Sequence, residues 1–402
     1  MRPVSTQHDG NGFEEERPGS QSSLRSANEA RVLEALRLGG QLTQAELARR
    51  TALAPSTVSN IVRELTESQV LDVDEEHGGR RGRMVRLASD GRLLLGVDFG
   101  HGHVAVALAT MALEVIAETR AAMPLGHDHR QGLEKAVSLR DYLLQRGSLS
   151  PGRIVAGAVS LPAPIDNAGR VIGSRLVLPG WADIDLVALA ERRFEVPVAI
   201  DNDANAGALG EHLWGAARGL DNVVYLKLSH GIGAGLILDG RLFRGNNGVS
   251  GEIGHTTVDD RGAFCRCGNR GCLETIAATP RVIGLLSQMH PRLHTMDDIV
   301  NAAAAGDPAC VRALGDTGRA VGVAAANLVN ILNPGMIVVG GNLAAAGEYL
   351  IEPMREIVVR YGVPSAVSQL AIVPAELGLR SHLLGTLAMA ADLAEPRTAL
   401  RR

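Results

Sequence analysis

The chain has 402 residues, 46% of them apolar, and a formal net charge of −4. That length exceeds one compact domain and supplies side chains for two or three cores, while the mild acidity argues against a protein that coats nucleic acid and leaves room only for a local basic patch. No apolar run is long enough to span a membrane and the opening MRPVSTQHDGNGFEEERPGS lacks the apolar core of a signal peptide, so a cytoplasmic protein is expected, in which four cysteines suggest metal or catalysis more than disulfides.

Residues 1–23 are rich in Gly, Ser, Glu and Gln without apolar periodicity and read as a disordered tail. From Leu24 the pattern turns helical. Val32, Leu33, Leu36 and Leu38 form an apolar face that Gly39-Gly40 terminates. Thr43 with Glu46 three residues on is a capping box for a second helix. A third opens at Ala54-Pro55-Ser56 and runs to about Ser68, apolar at Val58, Ile61, Val62 and Leu65. The runs VLDV and MVRLA flank a Gly/Arg-rich turn, a hairpin signature. Three helices and a hairpin over residues 24–88 make a winged helix-turn-helix.

In such a module the helix beginning APSTVSNIVREL lies in the major groove of operator double-stranded DNA. Its polar positions Ser56, Thr57, Ser59, Asn60 and Arg63 are the candidate base or phosphate contacts, and Arg80, Arg81 and Arg83 at the wing are candidates for the backbone or the minor groove. Ten arginines face ten acids between Leu24 and Asp90, so the module is not basic overall and a protein–protein adaptor is the competing reading. The charge is nonetheless sorted, with acids at 72–76 and arginines at 80–86.

After Gly91, buried strands (LLLGVDFG, HVAVALAT, IVAGAVSL, VPVAID, NVVYLKLS, MIVVGG, LAIVPA) alternate with helices near 184–194, 203–215, 280–290, 310–332, 346–361 and 381–394, and Gly-rich turns follow several strands. The class is α/β, and so long an alternation predicts two lobes with a cleft between them.

Three of the four cysteines crowd into GHTTVDDRGAFCRCGNRGCLETI with a histidine, at spacing His255-x9-Cys265-x-Cys267-x4-Cys272. A redox centre or a chance cluster are the alternatives to a metal clamp. One imidazole and three thiolates complete the tetrahedral shell of Zn²⁺ and leave no position for a substrate water, so a structural site is expected. Cys310, in an alanine-rich helix, reads as a small core residue.

GVSGEIGH, the CxCGxxGC loop with Leu273-Glu274, and IDNDAN together resemble the ROK family of repressors, open reading frames and sugar kinases, over about residues 24–395. The resemblance implies a two-lobed actin/hexokinase-like (ribonuclease-H-like) domain at 92–395, with lobe 1 at about 92–203 plus 381–395 and lobe 2 at about 204–380. It implies sugar contacts from Asn202, Asp203, Glu252, His255 and Glu274, Asp203 occupying the position of the kinases' general base. Carboxylates, an amide and an imidazole suit sugar hydroxyls, though Asn202 and Asp203 also suit a helix cap.

The phosphate side departs from the family. Where the kinases resemble DxGGTK, this chain reads Asp98-Phe99-Gly100-His101-Gly102-His103, so the phosphate-bonding Thr and the basic Lys are gone and histidines enter the loop. The second loop, near GTGIGGG in the kinases, reads Ser229-His230-Gly231-Ile232-Gly233-Ala234-Gly235, with His230 in place of Thr. The Asn expected before PGW is also missing, Val177 standing there. Phosphoryl transfer rests on positioning and charge neutralisation, so the expectation is a sugar-sensing transcriptional regulator, a homodimer or homotetramer with Asp203 as a vestigial base. A sugar kinase with a DNA-binding head and a zinc-stabilised adaptor without effector are the alternatives.

Overall fold

The computed structural model describes residues 21–67, 70–74, 83–87, 91–172 and 178–395. The expected tail up to residue 20, the wing arginines Arg80 and Arg81, Val177 and the side chain of Leu38 lie outside them. The described residues before Gly91 form one compact unit and Gly91–Glu395 a second. No described helix is long and apolar enough to cross a membrane.

The first unit runs α1 (Gln21–Gly39), β1 (Leu42–Thr43), α2 (Gln44–Thr51), α3 (Pro55–Glu67), β2 (Leu71–Asp74) and β3 (Met84–Leu87). Thr43 Oγ1 accepts from the Glu46 amide at 3.2 Å and the Glu46 carboxylate accepts from the Thr43 amide at 2.8 Å, the reciprocal cap that starts α2. Val58, Ile61 and Val62 bury one face of α3, and Val32, Leu36, Leu47 and Val85 complete the core. The hairpin pairs β2 with β3, and β1 adds antiparallel to β3. This is a winged helix; the two-residue β1 is too short to leave a sequence pattern.

The second unit opens with β4 (Leu93–Gly100), β5 (His103–Thr110), β6 (Val115–Ala122), α4 (His129–Arg146), β7 (Ile154–Leu161), α5 (Leu186–Phe194), β8 (Val198–Asn202) and α6 (Asp203–Leu213). It continues through β9 (Val223–Leu228), β10 (Ile232–Leu238), β11 (Arg241–Leu242), α7 (Glu274–Ala277), α8 (Thr279–Ser287), α9 (Met296–Ala304), α10 (Pro308–Leu332), β12 (Met336–Gly340), α11 (Glu348–Tyr361), α12 (Pro364–Val367), β13 (Ala371–Pro374) and α13 (Ser381–Ala394). Two five-stranded sheets result, β6-β5-β4-β7-β8 and β11-β10-β9-β12-β13. Each has three antiparallel strands followed by two parallel ones, the same plan used twice, as a sugar-kinase-like fold requires.

Strand β4 is buried on both faces: Leu93, Leu95, Val97 and Phe99 meet the core under α4 and α5, and Leu94 meets α13. Helix α6 packs on α13 and also on β9 and β10 of the second sheet. Its approach depends on Gly235, where a Cβ would lie 2.3 Å from the Ala204 carbonyl oxygen. That is why a sequence reading takes SHGIGAG for a turn when β10 begins inside it: the glycines serve packing, and they dilute the β signal. Helices α4 and α9 and strands β6 and β11 are further elements the sequence analysis did not place. β6 alternates half-buried and exposed residues, Val115-Ile116-Ala117-Glu118-Thr119-Arg120, as befits an edge strand.

Candidate functional site

In the first unit, α3 turns Ser56, Ser59, Asn60 and Arg63 to solvent, with Thr57 half-buried and Arg83 exposed beside β3. Arg63 pairs with the exposed Glu67 at 3.9 Å, a contact worth little in water.

In the second unit the thiol loop is tied by bridges pairing Thr257 with Cys272 and Phe264 with Arg270. Gly271 has φ +67°, and a Cβ there would lie 1.4 Å from the Asp259 carbonyl oxygen, so only glycine lets the strands close. The ligand atoms of His255, Cys265, Cys267 and Cys272 all lie within 4.8 Å of one another. Cys267 and Cys272 sulfurs are 3.7 Å apart, and Cys265 Sγ is 3.5 Å from His255 Nδ1. A tetrahedron with Zn–S of about 2.3 Å and Zn–N of about 2.0 Å has edges of about 3.8 and 3.5 Å, so the donor set fits such an ion. Burial, then the sulfurs of Cys267 and Cys265, pushes the Cys272 thiol up to about 12: three crowded thiols resist ionising together, and a dication is the chemistry that relieves this. Cys310 is fully buried in the core around α10.

His255 turns Nε2 towards Glu252 Oε2 at 3.7 Å. Burial first, then Glu274 and Asp203, pushes the Glu252 carboxyl up to about 7. Glu274 Oε2 accepts from the Ile232 amide at 3.2 Å and from Arg266 at 2.9 Å. The loop thus presents carboxylates from both of its ends to one space next to β10.

Asn202 caps α6: its Oδ1 accepts from the Ala204 amide at 2.8 Å and its Nδ2 donates to the Ala163 carbonyl at 3.0 Å. One donor and one lone pair of the amide thus hold the start of α6, where Asp203 follows. Asp203, 3% exposed, accepts from the ammonium of Lys227, 7% exposed, on β9. Lys227 was not among the residues expected from the sequence, although a charge in the middle of NVVYLKLS, an otherwise apolar strand, requires a buried partner.

Two histidine-bearing turns meet. The β4–β5 turn and the β9–β10 turn bring His101 and His230 into a stack with ring centroids 5.0 Å apart and planes 13° from parallel. Burial, then Lys227 and His230, pushes His101 down to about 3, and burial, then Lys227, lowers His230. Asp98 is buried and would be raised by that burial, yet His103 Nε2 at 2.9 Å, nearby His382 and Ser160 Oγ at 2.7 Å hold it well below the usual carboxylate range. Beside His230 lies a cavity of about 650 Å³, reaching Thr279, Met296, Gly340, Gly341 and Asn342.

Residues 94–393 match the ROK family and residues 25–81 match the MarR family. The chain is 30% identical to the xylose repressor of Caldicellulosiruptor bescii, over 92% of this chain and 97% of that protein. A crystal structure of a ROK family transcriptional regulator, described as a homologue of the Escherichia coli Mlc protein, superposes with a TM-score of 0.77 at 26% identity, covering 92% of this chain and 97% of that one. The ROK hexokinase of Thermus thermophilus matches 74% of this chain and 97% of its own, at 30% identity and a TM-score of 0.63. The larger unit is therefore shared with regulators and kinases alike, whereas the regulators also match its N-terminal winged helix: the chain belongs to the ROK family.

Proposed function

We propose that the chain is a sugar-responsive, DNA-binding transcriptional regulator, a repressor of carbohydrate-metabolism genes. The observation that carries this reading is the pairing of a winged helix whose α3 presents a polar face with a kinase-like cleft whose phosphate loops are joined by two stacked imidazoles. The repressor named for xylose matches 92% of the chain, winged helix included. On this reading a DNA-binding domain spans 24–88 and an effector domain 92–395, in two lobes at about 92–203 with 381–395 and 204–380. Operator contacts come from Ser56, Thr57, Ser59, Asn60, Arg63 and the wing residues Arg80, Arg81 and Arg83. The sugar meets Asn202, Asp203, Glu252, His255 and Glu274, Asn202 also fixing the backbone before Asp203. Two DNA-reading heads imply a homodimer or homotetramer acting in the cytoplasm.

His255, Cys265, Cys267 and Cys272 hold a structural Zn²⁺ that fixes the loop between Glu252 and Glu274. Sugar shifts operator affinity only as far as it binds the two conformational states differently, typically by about 1–3 kcal/mol of coupling. Phosphoryl transfer is disfavoured because neutral, stacked imidazoles occupy the loops where a phosphate chain needs donors and positive charge.

The test is operator affinity of the full chain, measured by fluorescence anisotropy, with glucose, xylose, N-acetylglucosamine and their phosphates. One sugar shifting affinity about 5- to 150-fold supports the reading. No shift from any sugar overturns the sensor role, and ATP-dependent phosphorylation abolished by Asp203→Asn would make the chain a kinase.

A further inference from the structure

Of the 40 Lys and Arg residues in this chain only Lys135 and Lys227 are lysine. Lys227 is the one inside a core. It stands in β9 between the fully buried Leu226 and Leu228, and its ammonium donates to Asp203 Oδ2 across the contact between β9 and α6. Both side chains are nearly removed from water. Breaking such a pair from one side is costly, because the remaining charge is left buried without a counter-ion.

Lys227 also lies within electrostatic reach of His101, His230, Glu252 and His382. Glu252 and Glu274 flank the carboxylate side, Arg266 is engaged by Glu274, and Asp98 acts on His382 from the first sheet. The ammonium is thus the cation around which the cleft's acids and imidazoles are disposed. A compact point charge with three donors fits that role, whereas the planar guanidinium used elsewhere in this chain demands a fork-shaped set of acceptors.

We infer that Lys227 and Asp203 together form a hydroxyl-reading pair. The carboxylate accepts a hydrogen bond from one sugar hydroxyl, and the ammonium, which has spent one of its three donors on Asp203, donates to that hydroxyl's oxygen. A site that both donates to and accepts from one hydroxyl rejects the analogue lacking it far more strongly than an apolar pocket rejects a missing methylene, since a buried donor and a buried acceptor each lose that partner.

This inference rests on the sugar-sensing reading above and deepens it. Calorimetry of the full chain first identifies which of glucose, xylose and N-acetylglucosamine binds. The deoxy and deoxyfluoro analogues of that sugar are then titrated at each ring position against the wild type and the Lys227→Met/Asp203→Asn double variant. The double variant removes both charges and so spares the fold an uncompensated one. At one ring position the wild type is expected to reject both analogues by about 100-fold or more, the fluoro compound included because fluorine cannot donate to Asp203. The double variant loses that discrimination, to within about 10-fold, and keeps whatever discrimination the wild type shows at the other positions. Unchanged discrimination at every position overturns the role of Lys227 while leaving sugar sensing intact. Failure of the wild type to bind any of the three sugars overturns both.

Discussion

His101 and His230 come from the same turn of two sheets built on one plan, and their imidazoles lie stacked, 5.0 Å apart and 13° from parallel. Each is held neutral chiefly by burial and secondly by Lys227. The stack joins the turns of the two sheets.

This contact predicts a one-sided pH dependence of stability. A free imidazole titrates near about 6.5, and folding lowers that of His101 to about 3. Between those values the unfolded chain binds more protons than the folded one, so stability rises with pH and is lost as pH falls from about 6.5 towards 3. Above about pH 7 the contribution is complete and flat. Melting temperatures between pH 5 and 8 should fall on the acid side in the wild type and fall less in His101→Asn/His230→Asn, which cannot charge. An equal acid-side fall in the variant would assign the effect to other groups.

The clarity of these features in the sequence follows their range. The metal loop places all four donors between positions 255 and 272 with glycines at the turns, so local spacing suffices to reveal it. The winged helix is likewise local, with the Thr43–Glu46 box visible as two letters three apart. The His101–His230 stack and the Asp203–Lys227 pair join residues from different elements, and nothing in either segment names its partner. Histidines in the loops could be read as lost phosphate contacts, but their union could not. Helix α4 escaped notice although Leu133, Ala136, Leu139 and Leu143 give it a buried face, because Gly132 and several charged residues interrupt its pattern. Asn202 matched both a sugar contact and a cap; its two hydrogen bonds show it in the second role.

The thiol loop predicts about one zinc per wild-type chain and its loss in Cys272→Ser, since Cys272 is fully buried between Cys267 and the His255 carbonyl. Removing one ligand from a closed site opens the shell. His255 would then lose its anchor on Nδ1 and with it the orientation of Nε2 towards Glu252. Sugar affinity should fall about 10- to 100-fold, the range seen when partners that orient metal-site groups are removed. Metal analysis with calorimetry checks both. Zinc lost with sugar affinity unchanged would confine the metal to stability alone.

On the DNA side, Asn60→Ala and Arg63→Ala should each cost about 1–3 kcal/mol of operator affinity and relax sequence preference where their side chains reach base edges. Arg83→Ala should weaken all sequences alike and reduce the salt slope by about one. Both polar positions on α3 are exposed and away from its buried Val58, Ile61 and Val62, so the fold should be kept. Anisotropy against operator and scrambled duplexes at several salt concentrations separates the two classes. A uniform loss from Arg63→Ala would reassign it to the phosphates.

Glu211, fully buried at the end of α6, predicts a large loss of stability from one side chain. Its Oε2 accepts from the amides of Ala216 at 2.9 Å and Glu376 at 3.1 Å, and its Oε1 from the Leu377 amide at 3.0 Å and the Ser381 hydroxyl at 2.6 Å. One carboxylate thereby binds the end of α6 to the turn before α13 and to the first residue of α13, the helix that covers the first sheet. Glu211→Ala strands these donors in the interior and should cost about 3–5 kcal/mol. Glu211→Gln keeps the shape but turns an amide group towards N–H donors, so it should rescue little. Urea denaturation measures both, and retained zinc would show that the loss does not spread to the thiol loop. Because α6 begins with Asp203, a shift of the helix should also weaken sugar binding. Stability close to wild type in Glu211→Gln would mean that the bonds accepted by one oxygen are enough to hold this junction and that neither the charge nor the full set of four bonds is needed.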